Sequence, residues 1–184
     1  MLILASASPR RREILESAGI LFETRPAEVD ETPLLHEMAE EYVQRLAEEK
    51  ARAVWRAGDI ALGADTVVAV DKVLLGKPRD GEEAARMLRL LSGRRHRVLT
   101  GICFFDGEKA ETALEETFVE FLPLTDEEIA AYVATGEPFD KAGAYGIQGA
   151  ASKFVARIEG CYFNVVGLPI ARVYSILRSR SGGE

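Results

Sequence analysis

Residues 60–70, Ile-Ala-Leu-Gly-Ala-Asp-Thr-Val-Val-Ala-Val, constrain this chain more than any other stretch. The run is almost wholly apolar and turns β-branched toward its end, the pattern of a central strand. One charge interrupts it. An unpaired carboxylate in such surroundings is costly, or it takes up a proton and becomes neutral. Asp65 therefore implies a partner: a lysine, an arginine or a metal ion. A buried structural ion pair meets that requirement, and so does a functional carboxylate, since perturbed acids concentrate at sites.

The pattern around this strand predicts alternating helices and strands. A short apolar strand over 2–5 leads to a helix over 9–18, closed by Gly19 at its C-terminal cap. A second strand is expected over 20–24, then an acidic loop over 26–35 carrying Glu28, Asp30 and Glu31. Met38, Tyr42, Val43, Leu46, Ala53 and Val54 fall at helical spacing and predict a long helix over 36–57. Asp71-Lys72 is a turn, and 73–75 is the return strand of a hairpin. A helix over 82–91 follows, then strands over 97–105 and 111–122 joined at Asp106-Gly107. Thr125 caps a helix reaching about 134, and a Gly-rich segment occupies 136–149. The pattern further predicts a hairpin of 154–158 and 161–165 around Glu159-Gly160 and a closing helix over 168–177. A polar tail over 178–184 is expected to fray. The hairpins break a strict βαβ rhythm, so the class is α/β or α+β, with a mixed, curved sheet flanked by helices. A chain of 184 residues fits one domain over 1–184, with room for two lobes.

Three arginines, Arg10, Arg11 and Arg12, stand in the first turn of the first helix, behind Ser8 as N-cap and Pro9. That end of the helix dipole is positive, and each cation there is unfavourable by about 0.3–1 kcal/mol. An anion held by free backbone N–H groups and guanidinium forks would reverse the sign. The segment thus reads as a phosphate site; a solvated basic turn with snorkelling arginines is the plain alternative. On the phosphate reading, removing Arg11 would relieve the empty helix start slightly.

Lys50 lies four residues beyond Leu46, on the inward stripe of the long helix. It either snorkels or points its ammonium into a cleft. Lys77, in Gly76-Lys77-Pro78, follows the hairpin directly. With Arg10, Arg11 and Lys50 it makes a set of four cations suited to a triphosphate. The segment 140–149, Asp-Lys-Ala-Gly-Ala-Tyr-Gly-Ile-Gln-Gly, lets the backbone pass close to a planar ligand. In it Gln148 offers both a donor and an acceptor, as the imide edge of uracil or thymine requires. A flexible surface loop is the alternative.

The net charge of -7, with 30 acidic against 23 basic residues, argues against binding polymeric nucleic acid through a basic face. It leaves room for a small phosphorylated ligand. Cys103 and Cys161 form no CxxC pair and read as small core residues, with a disulfide as the alternative. His36 and His96 are isolated, which argues against zinc. No signal peptide or membrane-spanning run is evident, so a cytoplasmic protein is expected.

These segments, in this order and spacing, resemble the Maf family of nucleoside triphosphate pyrophosphatases, also called septum formation proteins. The residues that carry the resemblance are 6–11 (SASPRR), 63–66 (GADT), 76–78 (GKP), 91–93 (LSG), 140–149 (DKAGAYGIQG) and 167–169 (GLP). It spans nearly the whole chain. The resemblance implies an elongated, two-lobed α/β fold related to the inosine-triphosphate pyrophosphatases, with a cleft between the lobes. It implies Asp65 as proton acceptor, and Arg10, Thr66 and Gln148 as the marks of the branch acting on dTTP and UTP. A sister branch acts on 7-methyl-GTP and carries other residues at those places. Ser8, Arg11, Lys50 and Lys77 are implied as phosphate-binding. Glu31, with Glu28 and Asp30 as neighbouring rivals, is implied beside Asp65 as a ligand of a divalent cation, Mg2+ or Mn2+. The implied reaction yields a monophosphate and pyrophosphate. A nucleotide-binding regulator of cell division is the reading from a different class. Family members are often homodimers, although nothing in these residues requires a second copy.

Overall fold

The computed structural model describes residues 1–181. In chain order the elements are β1 (Leu2–Leu4), α1 (Pro9–Ser17), β2 (Glu23–Thr24), α2 (Ala39–Val54), β3 (Ile60–Val70), β4 (Val73–Leu75), α3 (Gly81–Leu91), β5 (Arg95–Phe105), β6 (Ala110–Phe121), α4 (Asp126–Val133), β7 (Val155–Glu159), α5 (Tyr162–Val166) and α6 (Ile170–Ser181). Short 3-10 turns fill the stretch between α4 and β7. The seven strands form one mixed sheet in the order β2-β1-β3-β5-β6-β7, with β4 paired to β3. β1 runs parallel to both β2 and β3, while β4 returns antiparallel on β3 and β7 antiparallel on β6. The expected α/β class with a mixed sheet is the observed one.

The chain divides into two compact units. The first comprises residues 1–65, 100–115 and the segment from Gly167 onward; the second comprises 66–99 and 116–166. In the first, α2 lies directly on the sheet because two strand residues have no side chain. A Cβ at Gly63 of β3 would overlap the carbonyl oxygen of Ala47, and one at Gly101 of β5 would overlap that of Val43. Ala47 and Ala51 face the sheet with 0% exposure, and Ile3, Ala61 and Cys103 fill the same core. Helix backbone therefore touches strand backbone. The second unit packs α3 and α4 around Leu88, Leu91, Val119, Tyr132, Tyr145 and Phe154. Thr125 caps α4 in a reciprocal box, its hydroxyl accepting from the Glu128 N–H and the Glu128 carboxylate accepting from its own N–H.

Three local expectations fail. Residues 161–165 are not a returning strand: β7 stands alone beside β6, and α5 follows. The Thr117 hydroxyl bonds both backbone groups of Cys161 at 3.0 Å, so that residue has nothing left for a ladder. Buried Asn164 donates to the Val98 carbonyl and to Thr117 Oγ. A five-residue apolar run does not reveal its period, and these polar anchors decided it. Residues 20–24 pair only at Glu23 and Thr24, with Leu21 exposed. The closing helix continues through 178–181, where Arg180 pairs with Asp106 at 3.1 Å and Glu111 at 3.0 Å. The rest of the expected tail, 182–184, lies outside the described residues. Both cysteines are free thiols, which removes the disulfide alternative. Among the described residues no helix is long and apolar enough to cross a membrane.

The glycine contact is testable. Gly63→Ala forces α2 away from β3 and should destabilise by roughly 1–3 kcal/mol or more, as overpacking does. Thermal denaturation reads this directly; an unchanged midpoint would show that the helix is not seated on the strand backbone.

Candidate active site

In the first unit, α1 begins as the sequence predicts, with Pro9 in its first turn and no acidic residue there. Ser8 occupies the N-cap position, but its side chain makes no capping bond; its N–H donates instead to Ser6 Oγ at 3.2 Å. The first turn thus carries no acidic residue of its own to offset the positive end of the helix.

Arg11 does more inside the protein than the phosphate reading expects. Its Nε donates to the Gly167 carbonyl at 2.8 Å, and its Nη1 donates to the Ala64 carbonyl at 2.9 Å and to Ser6 Oγ at 3.2 Å. One guanidinium fork therefore joins the first helix, the centre of β3 and the segment leading into α6. Burial lowers its pKa, and Asp65 opposes that shift.

Lys50 does not snorkel. It is 7% exposed, and its Nζ donates to Asp65 Oδ1 at 2.6 Å while pairing with Glu31 Oε1 at 2.6 Å. The local fold explains this placement. Lys50 stands on the α2 turn between Ala47 and Ala51, the turn that Gly63 admits to the strand. Asp65 follows Gly63 by two residues, and so lies on the same face of β3. Of the three acids in the loop, Glu31 is the one that reaches the ammonium. Asp30 instead accepts the Thr32 N–H at 2.9 Å. The loop is fixed from α2 as well, because the Tyr42 hydroxyl donates to the Glu31 carbonyl at 2.9 Å.

Asp65 is 7% exposed. Burial raises its pKa above the ordinary carboxylate range, Lys50 and Arg11 pull it down, and Glu31 pushes it up again. The result is a carboxylate more basic than a surface aspartate, the property a proton acceptor needs near neutral pH. Among the described residues, no group of three or more His, Cys, Asp or Glu side chains makes a metal cage. Two carboxylates converging on one ammonium are a donor set that suits a hard cation taking its remaining ligands from phosphate and water.

The second unit gathers the other predicted segments. Thr66 opens it on β3, and Val68 shares its face of the strand. Gly143, at φ 70°, lies against Val68: a Cβ there would come within 2.8 Å of Val68 Cγ2. The Gly143 N–H donates to the Gly76 carbonyl at 3.1 Å, which ties 140–149 to the loop of Lys77. Lys77 and Gln148 are both exposed. Beneath them Tyr145 is buried, its hydroxyl 2.8 Å from Nε2 of His96, whose pKa burial pushes down to about 4. His96 is thus a residue of the core.

The predicted residues therefore fall into two sets: Ser8, Arg10, Arg11, Glu31, Lys50 and Asp65 in the first unit, and Thr66, Lys77 and Gln148 in the second. Sequence reading missed Ser6 and Tyr42. Tyr42 was legible as a polar-tipped residue eight positions before Lys50, two turns away on the same helix face. Ser6 carried no signal of its own.

A buried carboxylate paired with a lysine on an α/β sheet is a group that a hydrolase can use as a proton acceptor. The fold is shared with a HAM1 protein from Coxiella burnetii, at a TM-score of 0.54 and 14% identity, over 97% of this chain and 98% of that one. The family model for the Maf-like proteins matches residues 1–180, and the chain belongs to that family. A dTTP/UTP pyrophosphatase of Koribacter versatilis (strain Ellin345) is 53% identical over 179 residues, covering 96% of this chain and 93% of the relative. One of Geobacter sp. (strain M21) is 54% identical over 181 residues, covering 96% and 94%.

The geometry reverses one expectation. Arg11→Ala should destabilise the protein, by about 2–4 kcal/mol, because it strips buried carbonyls of their donor. Urea denaturation measures this; a stabilised Arg11→Ala would restore the view of Arg11 as a cation merely enduring the helix start.

Proposed function

We propose that this protein hydrolyses dTTP and UTP between the α and β phosphates, releasing the nucleoside monophosphate and pyrophosphate. The observation that carries the reading is Asp65, buried and raised in pKa against Lys50, in a chain about half identical to dTTP/UTP pyrophosphatases over nearly its whole length. Water attacks the α-phosphorus, forming one P–O bond as the bridging P–O bond to the β-phosphate breaks. Asp65 takes the water proton, and pyrophosphate leaves as the anion. Arg10, Arg11, Lys50 and Lys77, with the helix start behind Ser8, offset the charge developing on the leaving group. Arg10, Thr66 and Gln148 select the pyrimidine.

Glu31 and Asp65 would hold a divalent cation, Mg2+ or Mn2+, which would polarise phosphate oxygens. Lys50 would then keep the two carboxylates in place and offset their mutual repulsion. The purpose of the reaction is to clear modified or misplaced pyrimidine nucleotides from the cytoplasm before polymerases use them.

A panel of nucleoside triphosphates assayed for pyrophosphate release tests the substrate. dTTP and UTP should exceed ATP, GTP and 7-methyl-GTP by at least about tenfold in kcat/KM, because a mismatched base leaves the polar groups that read the imide edge without partners. If 7-methyl-GTP were the best substrate, the branch assignment would fall.

Asp65→Asn tests the chemistry. It should lower kcat by on the order of 100-fold or more while the melting curve stays cooperative. In the wild-type enzyme, activity should fall on acidification as Asp65 takes up its proton. A folded Asp65→Asn enzyme turning over at the wild-type rate would remove Asp65 from the mechanism.

A further inference from the structure

Gln148 stands at the exposed tip of a tight turn whose two ends are fastened by one carboxylate and one phenol. We infer that Glu137 and Tyr132 are the positioning pair that fixes the base preference of this enzyme. The inference rests on the reading of Gln148 as a base-contacting group, and deepens it.

The turn closes on itself through the Gly149 N–H, which donates to the Gly146 carbonyl at 3.1 Å. At its start, the Gly146 N–H donates to the Tyr132 hydroxyl at 3.2 Å. That hydroxyl donates in turn to Glu137 Oε1 at 2.8 Å. At its end, the Ala150 N–H donates to the other carboxylate oxygen, Glu137 Oε2, at 3.0 Å. A single side chain thus spans the turn, reaching one end through Tyr132 and the other directly. Tyr132 is itself buried, with 2% exposure in the core of the second unit.

The clamp packs closely against the glycines at the turn's flanks. A Cβ on Gly149 would overlap the Glu137 carboxylate, and one on Gly146 would lie 2.5 Å from Lys141 Cε. Lys141 completes the frame, its Nζ donating to the Glu137 carbonyl at 2.7 Å and to Asp140 Oδ1 at 2.6 Å. Between the fastened ends Ile147 points inward, at 8% exposure, and Gln148 outward. Hydrogen bonds to a charged group are stronger than neutral ones. A turn held by them pre-orders its tip, so base binding does not have to order the turn as well. Neither Glu137 nor Tyr132 has a part in the proton transfer proposed for Asp65.

The test compares wild type with Glu137→Ala, Glu137→Gln and Tyr132→Phe, using dTTP and ATP as substrates and circular dichroism for folding. Glu137→Ala should lower the dTTP-to-ATP ratio of kcat/KM by about tenfold, mainly through a higher KM for dTTP. Glu137→Gln should restore part of the ratio, since its amide oxygen can accept from Ala150 and its N–H can donate to the Tyr132 oxygen, keeping both ends tied without the charge. A purely structural role would move stability without this split and rescue. A folded Glu137→Ala enzyme with the wild-type ratio overturns the inference, as does a Glu137→Gln enzyme no better than it. If Glu137→Ala does not fold, Tyr132→Phe decides. It cuts the tie to Gly146, and a folded variant with the wild-type ratio overturns the inference. A wild-type enzyme that does not prefer dTTP to ATP strikes the reading of Gln148 itself, before any variant is compared.

Discussion

The close approach of α2 to β3 and β5, backbone on backbone, is the constraint on which the first unit depends. Gly63 and Gly101 remove the side chains that would hold the helix at an ordinary packing distance. The Lys50 ammonium thereby comes within 2.6 Å of the Asp65 carboxylate. In low dielectric an uncompensated charge is costly, and a pair compensates only when its geometry is good. The helix position is therefore an electrostatic setting as well as a packing one. Burial pushes the Asp65 proton affinity up, Lys50 and Arg11 push it down, and the distance fixed by two glycines decides the balance.

Much of this was legible beforehand, for identifiable reasons. The apolar run through Asp65 announced both a central strand and a buried charge needing a partner. The helical stripe through Leu46 and Lys50 turned that charge's partner inward. Turn chemistry was equally plain at Asp71-Lys72, where Asp71 takes φ 53°, and at the Thr125 cap. What sequence reasoning missed depends on tertiary contacts. Residues 161–165 look apolar enough for a strand until Thr117 and Asn164 occupy the hydrogen-bonding groups involved. Arg11 looks like a cation at a helix start; that its guanidinium also holds the carbonyls of Ala64 and Gly167, far away in the chain, was not legible. Glu31 could be separated from Glu28 and Asp30 only by the loop's path, which Tyr42 fixes.

The two units solve the problem of positioning polar groups in different ways. In the first, Lys50 and Asp65 are buried against one another, so chemistry and stability share the same atoms. In the second, Lys77 and Gln148 stand exposed on loops whose order comes from neighbours underneath: the Gly143 contact with Gly76, the Tyr145 seat on His96 and the grip of Glu137. Loops braced in this manner can present side chains to a ligand while the braces stay in the protein's own core.

The bond from Arg11 to Gly167 crosses 156 residues. Arg11, Glu31, Lys50 and Asp65 all precede the second unit in the chain, and the carbonyl that completes the Arg11 fork follows it. The first unit is assembled from three separate stretches, so its closure cannot precede the second unit's translation. Non-local closure of this kind is entropically late. Arg11 is therefore synthesised well before its Gly167 acceptor, and the contact that locks the first helix to the segment leading into α6 forms only after the whole second unit has been made.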